Sequence, residues 1–371
     1  MEAQVMTEIF LIRHTQAEGN LYRAMQGHWD GGVTPAGRLQ QRALKERFEG
    51  VEVDAVYSSD LSRAVFTAEA VAKPKGLEII TDRGLREINV GPWEACFFGN
   101  VFHDDPQNAE YFVRDCEKWY LEGAETYMQV RDRMYAAVES IARKNDGKRI
   151  AIVSHGVSIR CFTSKVTDIS LSDTERLPIF RNTSVSTFTY ENGVFSPVEL
   201  NSYSHIESLP VRVFNKTDDL RHECIDPKKD RKFYESCYAD CWLAAHGTLE
   251  DFSAAPYYRA AQEHYAFDAH SVMKLYDKDE SVGLAELDTA RGAEEGIGWV
   301  TLLYLKESFR GKGDGIQALA RPILYYKLHG RRALRLNVSD DNTRAVRFYE
   351  ENGFHAIGKT GRLILMEYEL S

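Results

Sequence analysis

The stretch Ile9–Asn20, IFLIRHTQAEGN, decides how the first half of the chain is read. Its apolar residues, Ile9 to Ile12, run straight into Arg13 and His14 and then into a polar turn. A short apolar run with β-branched and aromatic members has the pattern of a buried strand. Arginine and histidine are costly to bury without partners, so their place at its end needs an account. One account is a strand surfacing into solvent. The other is a binding site, because open α/β sheets hold ligands at the carboxyl ends of their strands.

The same arrangement recurs downstream. AVYSSDLSRA (Ala55–Ala64) runs from a strand through Ser58 and Ser59 into a helix carrying Arg63, and IAIVSHG (Ile150–Gly156) ends in His155 and Gly156. Between them GLREINVGPWE (Gly84–Glu94) supplies Glu87 in a loop. If the strands are parallel, these groups converge on one sheet edge. Such a set suits phosphoryl transfer by a covalent route, in which a neutral imidazole attacks phosphorus. Arginines clamp the phosphoryl oxygens, and a second histidine donates where charge develops. A carboxyl group serves the leaving oxygen and then water. With that much built-in positive charge the chemistry requires no metal, and activity that survives chelators is expected.

A chain of 371 residues exceeds the size at which one core usually stops growing, so two domains are expected. Its hydrophobic fraction of 43% and charged fraction of 27% are those of a globular protein. A net charge of −10, with both signs mixed along the chain, argues against a nucleic-acid surface. No apolar run is long enough to span a bilayer, and the opening MEAQVMTE lacks the pattern of a secretory signal. A cytoplasmic location is therefore expected. The six cysteines (Cys96, Cys116, Cys161, Cys224, Cys237, Cys241) form no CxxC and read as reduced thiols. Cys237 and Cys241 are spaced i,i+4 on a helix but lack zinc-finger partners, so no metal site is assigned.

Apolar runs alternate with helical periodicity, with no repeat or low-complexity segment, which points to α/β architecture. The pattern predicts a helix over 34–48, strands in DAVYSS and LEIIT, and helices around 61–72 and 128–144. SVSTFTYENGVF predicts a hairpin, because Glu191-Asn192-Gly193 supplies turn residues that tolerate positive φ. SPVELNSYSHIESLP (Ser196–Pro210) is rich in turn formers and reads as a linker, placing a boundary near His205 between domains 1–205 and 206–371. The second domain is expected to open with VRVF (Val211–Phe214) and two amphipathic helices. Strands SVMKLYD, SVGLAELD and IGWVTLLYL follow, then a glycine-rich turn, a helix, ALRLNVS, another helix and two closing strands.

The turn after IGWVTLLYL contains Arg310, Gly311, Lys312, Gly313, Asp314 and Gly315 and leads into a helix. Glycines let the backbone approach an anion, and a helix start presents free N–H groups, so a pyrophosphate is the natural guest. It is not a Walker motif, since no Lys-Ser/Thr follows. Pro322 lies inside the next helix and is expected to kink it or make its second half irregular. LNVSDDNTRAVRFYEENGF (Leu336–Phe354) gives a strand, a helix starting at Asn342 and an Asn352-Gly353 cap.

On these motifs the first half, residues 7–200, resembles the histidine phosphatase superfamily, with its phosphoglycerate-mutase-like fold. Arg13, His14 and Asn20 fall on the opening motif, and VTPAGRLQQ (Thr34, Gly37, Gln41) on the helix entry. YSSDLSRAVFTAE, LREINVGPWE, GAETY and VSHG follow in the family's order. The resemblance implies a three-layer α/β/α domain with a mostly parallel sheet. It implies His14 as nucleophile, Arg13, Arg63 and His155 around the phosphoryl group, Glu87 as proton donor, and Asn20 in contact with phosphate or substrate. Thr15 replaces the usual glycine and is expected to narrow the pocket floor; Gly19 replaces a common tryptophan. ACFFGNVFHDDPQNAEYF (Ala95–Phe112) is expected to form the substrate-selecting lid, and its short length favours hydrolysis over mutase chemistry. A mutase, and a non-catalytic phospho-ligand-binding domain, are the alternatives. His28, His103 and His205 are read as surface or lid residues.

Residues 211–371 resemble the GNAT acetyltransferases, on Arg310, Gly313 and Gly315 and on the later Asn342 and FYEENGF segment. This implies an α+β domain with a mixed, mostly antiparallel sheet and acetyl-CoA as cofactor. Arg310, Gly311, Lys312, Gly313, Gly315 and Asn342 would face the cofactor, the backbone of Leu303–Leu305 would pair with its pantetheine arm, and Tyr349 would act as general acid. Thr301 stands where many members carry a carboxylate, leaving Glu286 or Asp288 as a base acting through water. A coenzyme A-binding module without transferase activity is the alternative. The expected partners are a small phosphorylated metabolite and a small amine acceptor, with a second copy of the chain as an option; neither nucleic acid nor a membrane is expected.

Overall fold

The computed structural model describes residues 6–210 and 219–370, so the VRVF strand lies outside the described residues. The chain divides into two compact units: Met1–Cys96 with Val101–Val213, and Phe97–Asn100 with Phe214–Ser371. Among the described residues, no helix is long and apolar enough to cross a membrane.

In chain order the first segment contains β1 (Thr7–Arg13), α1 (Glu18–Tyr22), α2 (Pro35–Arg47), β2 (Ala55–Ser58), α3 (Ser62–Ala72) and β3 (Ile79–Thr81). Next come α4 (Phe98–Asp104), α5 (Pro106–Arg114), α6 (Tyr127–Lys144), β4 (Arg149–Ser154), α7 (Gly156–Val166), β5 (Val185–Glu191) and β6 (Val194–Ser202). The sheet order is β3-β2-β4-β1-β5-β6. β3, β2, β4 and β1 are parallel, β5 runs against them, and the edge strand β6 runs against β5. Ile9, Leu11, Ile150 and Ile152 face α6 and α7, whereas Ile12, Ala151 and Val153 face α2 and α3. Burial on both faces is why β1 and β4 read as unbroken apolar runs. The result is the expected three-layer α/β/α domain.

The hairpin turn is as expected, with Asn192 and Gly193 at φ 52° and 83°. The linker reading of Ser196–Pro210 is corrected at its start, because β6 continues to Ser202. An edge strand has one neighbour and an exposed face, so it needs no apolar alternation and tolerates Pro197.

The second unit contains β7 (Arg221–Cys224), α8 (Arg231–His246), α9 (Ala255–Phe267), β8 (Val272–Asp277), β9 (Glu280–Asp288) and β10 (Ile297–Leu305). It closes with α10 (Gly315–Leu328), β11 (Ala333–Ser339), α11 (Thr343–Glu351), β12 (His355–Thr360) and β13 (Leu363–Glu369). The sheet order is β12-β13-β11-β10-β9-β8-β7, with β10 and β11 parallel and the other pairs antiparallel. Tyr234 and Cys237 of α8 and Ala261 of α9 pack on Leu284, Leu302 and Tyr304. Beneath the Tyr326 ring of α10, a Cβ at Gly298 would lie 2.4 Å from the ring, so only glycine fits there. α10 stays helical through Pro322, contrary to expectation. One backbone bond is lost, but Leu319 and Ile323 on either side are buried and hold the helical path.

Candidate active site

Strand register builds the first site. β1 and β4 pair with Arg13 opposite Ser154, so His14 and His155 leave the sheet side by side. The His14 N–H donates to the Ser154 carbonyl at 2.9 Å, and the two imidazole centroids are 5.0 Å apart. β2 ends with Ser58 opposite Val153, and the following turn delivers Arg63 on α3 to the same edge. His14, Arg63 and His155 are buried.

The His14 Nδ1 lies 2.6 Å from the Thr15 carbonyl. A carbonyl only accepts, so Nδ1 carries the proton and Nε2 keeps its lone pair. Burial, then the Arg63 and Arg13 charges, hold the His14 imidazole well below the usual histidine range. Burial and Arg63 do the same to His155, with smaller contributions from His14 and Arg13. The Arg13 Nη1 donates to the Phe180 carbonyl at 2.5 Å. Arg63 donates through Nη1 to Trp29 O at 3.1 Å and through Nη2 to Gly27 O at 2.7 Å. Burial lowers the Arg63 guanidinium to about 10. Asp30 is the carboxylate beside it, at 3.5 Å.

Four buried atoms here have no hydrogen-bond partner: Arg13 Nε, Arg63 Nε, and both ring nitrogens of His155. A buried polar group left unpaired costs about 1–3 kcal/mol, so their convergence describes an anion site. Gly156 makes room for it, since a Cβ there would lie 3.2 Å from Arg13 Nε.

Glu87 stands at the α7 N-terminus. Its carboxylate accepts from Val157 N at 3.1 Å, Ser158 N at 3.0 Å, Ser158 Oγ at 3.2 Å and Ile88 N at 3.1 Å. It is therefore seen as an acceptor. Asn20 Oδ1 accepts from Ala17 N and from Asn182 Nδ2, at 3.1 and 3.2 Å. Thr15 is buried, with its N–H on Thr67 Oγ1 at 2.9 Å and its hydroxyl 3.4 Å from the same atom.

Sequence reasoning gave no role to Asn182, which donates to the His14 carbonyl at 2.9 Å, or to Thr67. Arg133 was also missed. It donates to the carbonyls of Gly84, Arg86 and Glu87 while paired with Glu125 at 2.7 Å, fixing the acid loop. The helical position of Arg133, six residues after Tyr127 of GAETY, was the one signal that linked it to a motif. His28, read as a surface or lid residue, has Nε2 at 3.0 Å from the Glu87 carbonyl. His103 is exposed beside Asp104, and His205 Nδ1 accepts from Arg47 at 3.2 Å.

The second site lies where β10 leaves β11. Their pairing ends at Val300 and Leu336, and β10 bulges against β9 between Val300 and Leu302. Leu303–Leu305 pair with β9, leaving their other backbone edge outside the β11 ladder. Gly311 and Gly313 take φ 75° and 92°, which glycine adopts freely, and α10 begins at Gly315. Arg310 Nε donates to Leu305 O at 2.7 Å, and a Cβ at Gly311 would lie 3.1 Å from Arg344 Nη2. Glycine backbone, Arg310, Lys312, Arg344 and a helix start are a donor set that fits the pyrophosphate of a coenzyme A.

Asn342 Oδ1 caps α11 through Ala345 N at 3.1 Å, which commits that oxygen to the helix. Tyr349 packs between Phe348 and Phe354, and burial raises its phenol. Thr301 Oγ1 donates to the Glu286 backbone carbonyl at 3.1 Å. The Glu286 carboxylate accepts from Tyr234 at 2.7 Å, Tyr238 at 3.0 Å and His264 Nδ1 at 2.8 Å. Asp288 lies 3.6 Å from His264 Nε2. Among the described residues no group of three His, Cys, Asp or Glu side chains is arranged to hold a metal.

The fold and the strand-end histidines define a histidine phosphatase-type domain, and the second sheet an acetyltransferase-type one. The family model for the histidine phosphatase superfamily (branch 1) matches residues 9–203, and that for the acetyltransferase (GNAT) family matches residues 232–354. The chain belongs to the histidine phosphatase superfamily and carries a GNAT acetyltransferase domain. It is 29% identical over 186 residues to the probable phosphoglycerate mutase GpmB of Salmonella choleraesuis (strain SC-B67), covering 50% of this chain and 86% of that protein. It is similar to the solved structure of Bacillus stearothermophilus YhfR, with TM-score 0.53 and 32% identity, covering 54% of this chain and all of that one. Mycobacterial hydrolase 1 shares the fold at TM-score 0.50 and 23% identity, covering 54% of this chain and 100% of that one. The chain is thus a fusion of a phosphatase- or mutase-like domain with an acetyltransferase-family domain, which implies use of acetyl-CoA.

Proposed function

We propose that the chain is a bifunctional enzyme. Its first domain, ending near His205, hydrolyses a small phosphomonoester through a phosphohistidine on His14. Its second acetylates a small amine. The observation that carries the first activity is the set of unpartnered buried nitrogens on Arg13, Arg63 and His155 beside a neutral His14. In the first step His14 Nε2 bonds to phosphorus and the ester P–O bond breaks, its electron pair passing to the leaving oxygen. Protonated Glu87 supplies the proton that oxygen takes. In the second step water attacks phosphorus, the P–N bond breaks, and Glu87 takes the proton from water. The acceptor bonding of Glu87 suits this second role. Arg13, Arg63 and His155, which takes up a proton only against the charge of the bound phosphate, hold the phosphoryl oxygens through both steps.

In the second domain Arg310, Lys312, Arg344 and the α10 N-terminus would hold the cofactor's pyrophosphate, and Leu303–Leu305 its pantetheine arm. Acetyl-CoA supplies a thioester-activated acetyl group. Tyr349, whose phenol burial keeps protonated, holds a proton at its hydroxyl oxygen.

The expected result is p-nitrophenyl phosphate hydrolysis by the wild-type chain in EDTA, lost in His14→Ala. Persistent turnover in that variant removes His14 as nucleophile. Thiol release from acetyl-CoA across a panel of amines tests the second activity. Mutase chemistry is the second reading, favoured by the likeness to a probable phosphoglycerate mutase. Stimulation of phosphoryl transfer by a bisphosphate compound would select it.

A further inference from the structure

Arg63 is aimed by three backbone carbonyls, Gln26 O being the most distant at 3.5 Å, and one carboxylate holds the loop that carries the two nearer ones. Gly27 O and Trp29 O accept from its Nη2 and Nη1. The N–H groups of Gly27 and Trp29 donate to Glu94 Oε2 at 3.1 and 2.8 Å. Glu94 Oε1 accepts from His28 N at 2.7 Å and Val90 N at 3.2 Å. The approach demands glycine at position 27, where a Cβ would lie 2.2 Å from Ile88 O and 2.4 Å from Glu94 Oε1. The far end of the loop is pinned as well, since Asp30 accepts from Ser62 N and Ser62 Oγ at the start of α3. Val90 belongs to the loop that carries Glu87, so Glu94 fastens the acid loop to the bracket that orients Arg63.

We propose that Glu94 is a positioning residue that sets the aim of Arg63 at the phosphoryl group. The proposal rests on the phosphatase reading. Each Glu94 oxygen takes two N–H donors, a pattern only a carboxylate satisfies; glutamine would turn an NH2 group against two of them. The bracket would then loosen, and a displacement on the order of 1 Å at a clamp costs about 100-fold in rate.

The test is a double-mutant cycle on the full chain, using p-nitrophenyl phosphate turnover and inhibition by inorganic phosphate. Glu94→Gln is expected to lower kcat/KM about 100-fold and weaken phosphate inhibition about tenfold. In an Arg63→Ala background the same change is expected to add almost nothing to the loss of phosphate affinity. Unchanged phosphate inhibition in folded Glu94→Gln, or losses that simply add, overturn the proposal. If that variant does not fold, Glu94→Asp, which keeps both oxygens but withdraws them by one carbon, enters the same cycle under the same criteria. A wild-type chain that neither turns over the ester nor binds phosphate overturns the phosphatase reading and the proposal together.

Discussion

Thr67 shows how a buried site is held by groups remote from the reacting atoms. Its Oγ1 accepts the Thr15 N–H at 2.9 Å and donates to the Arg63 carbonyl at 2.7 Å, tying the β1 exit to the helix that bears Arg63. Thr67→Val keeps the shape but leaves the Thr15 N–H unpaired. A loss of about 1–3 kcal/mol is expected, measured by denaturant unfolding. His14 and His155 predict a pH dependence. Both pKa values are depressed in the folded state, so between those values and the ordinary 6.5 the unfolded chain binds more protons. Their contribution to stability is fully present above pH 6.5 and is lost as pH falls from there through the folded values. His155→Gln should flatten the fall in Tm below that pH. His14, His155 and Arg63 were legible in the sequence because each sits where an apolar strand ends or its helix begins. Thr67, Asn182 and Arg133 were not, because the Thr15 amide, the His14 carbonyl and the Arg86 carbonyl that they bond lie far away in sequence.

At the scale of elements, legibility followed burial. β1 and β4, covered on both faces, announced themselves as apolar runs. β7 has the polar sequence RHEC and pairs with β8 alone, so no pattern marked it. The continuation of β6 beyond the predicted hairpin, Ser196 to Ser202, hid for the same reason, and α10 passed a proline that local reasoning had made disruptive. The α7 start yields a prediction at this scale. Gly156→Ala suits a helix but brings a Cβ against Arg13, so the clamp must shift by a few tenths of an ångström. Phosphate inhibition should weaken several-fold while helical content measured by circular dichroism stays unchanged.

At the scale of the molecule, each unit has its own sheet and its own buried cluster. Ligands for the two sites should therefore stabilise different parts of the chain. At about 100 times its Kd, acetyl-CoA should add about 2.7 kcal/mol to the second unit. Hydrogen exchange should show that protection in α10 and β10 but not in β1 and β4, with inorganic phosphate giving the converse. Equal protection of all four by either ligand would refute independent sites. The central claim, that His14 carries the phosphoryl group, has a more direct test. After acid-free quenching of wild-type enzyme with a radiolabelled phosphate ester, peptide mapping is expected to find an acid-labile, base-stable label on the peptide containing His14. No label there during active turnover, or the same label in His14→Ala, would contradict it.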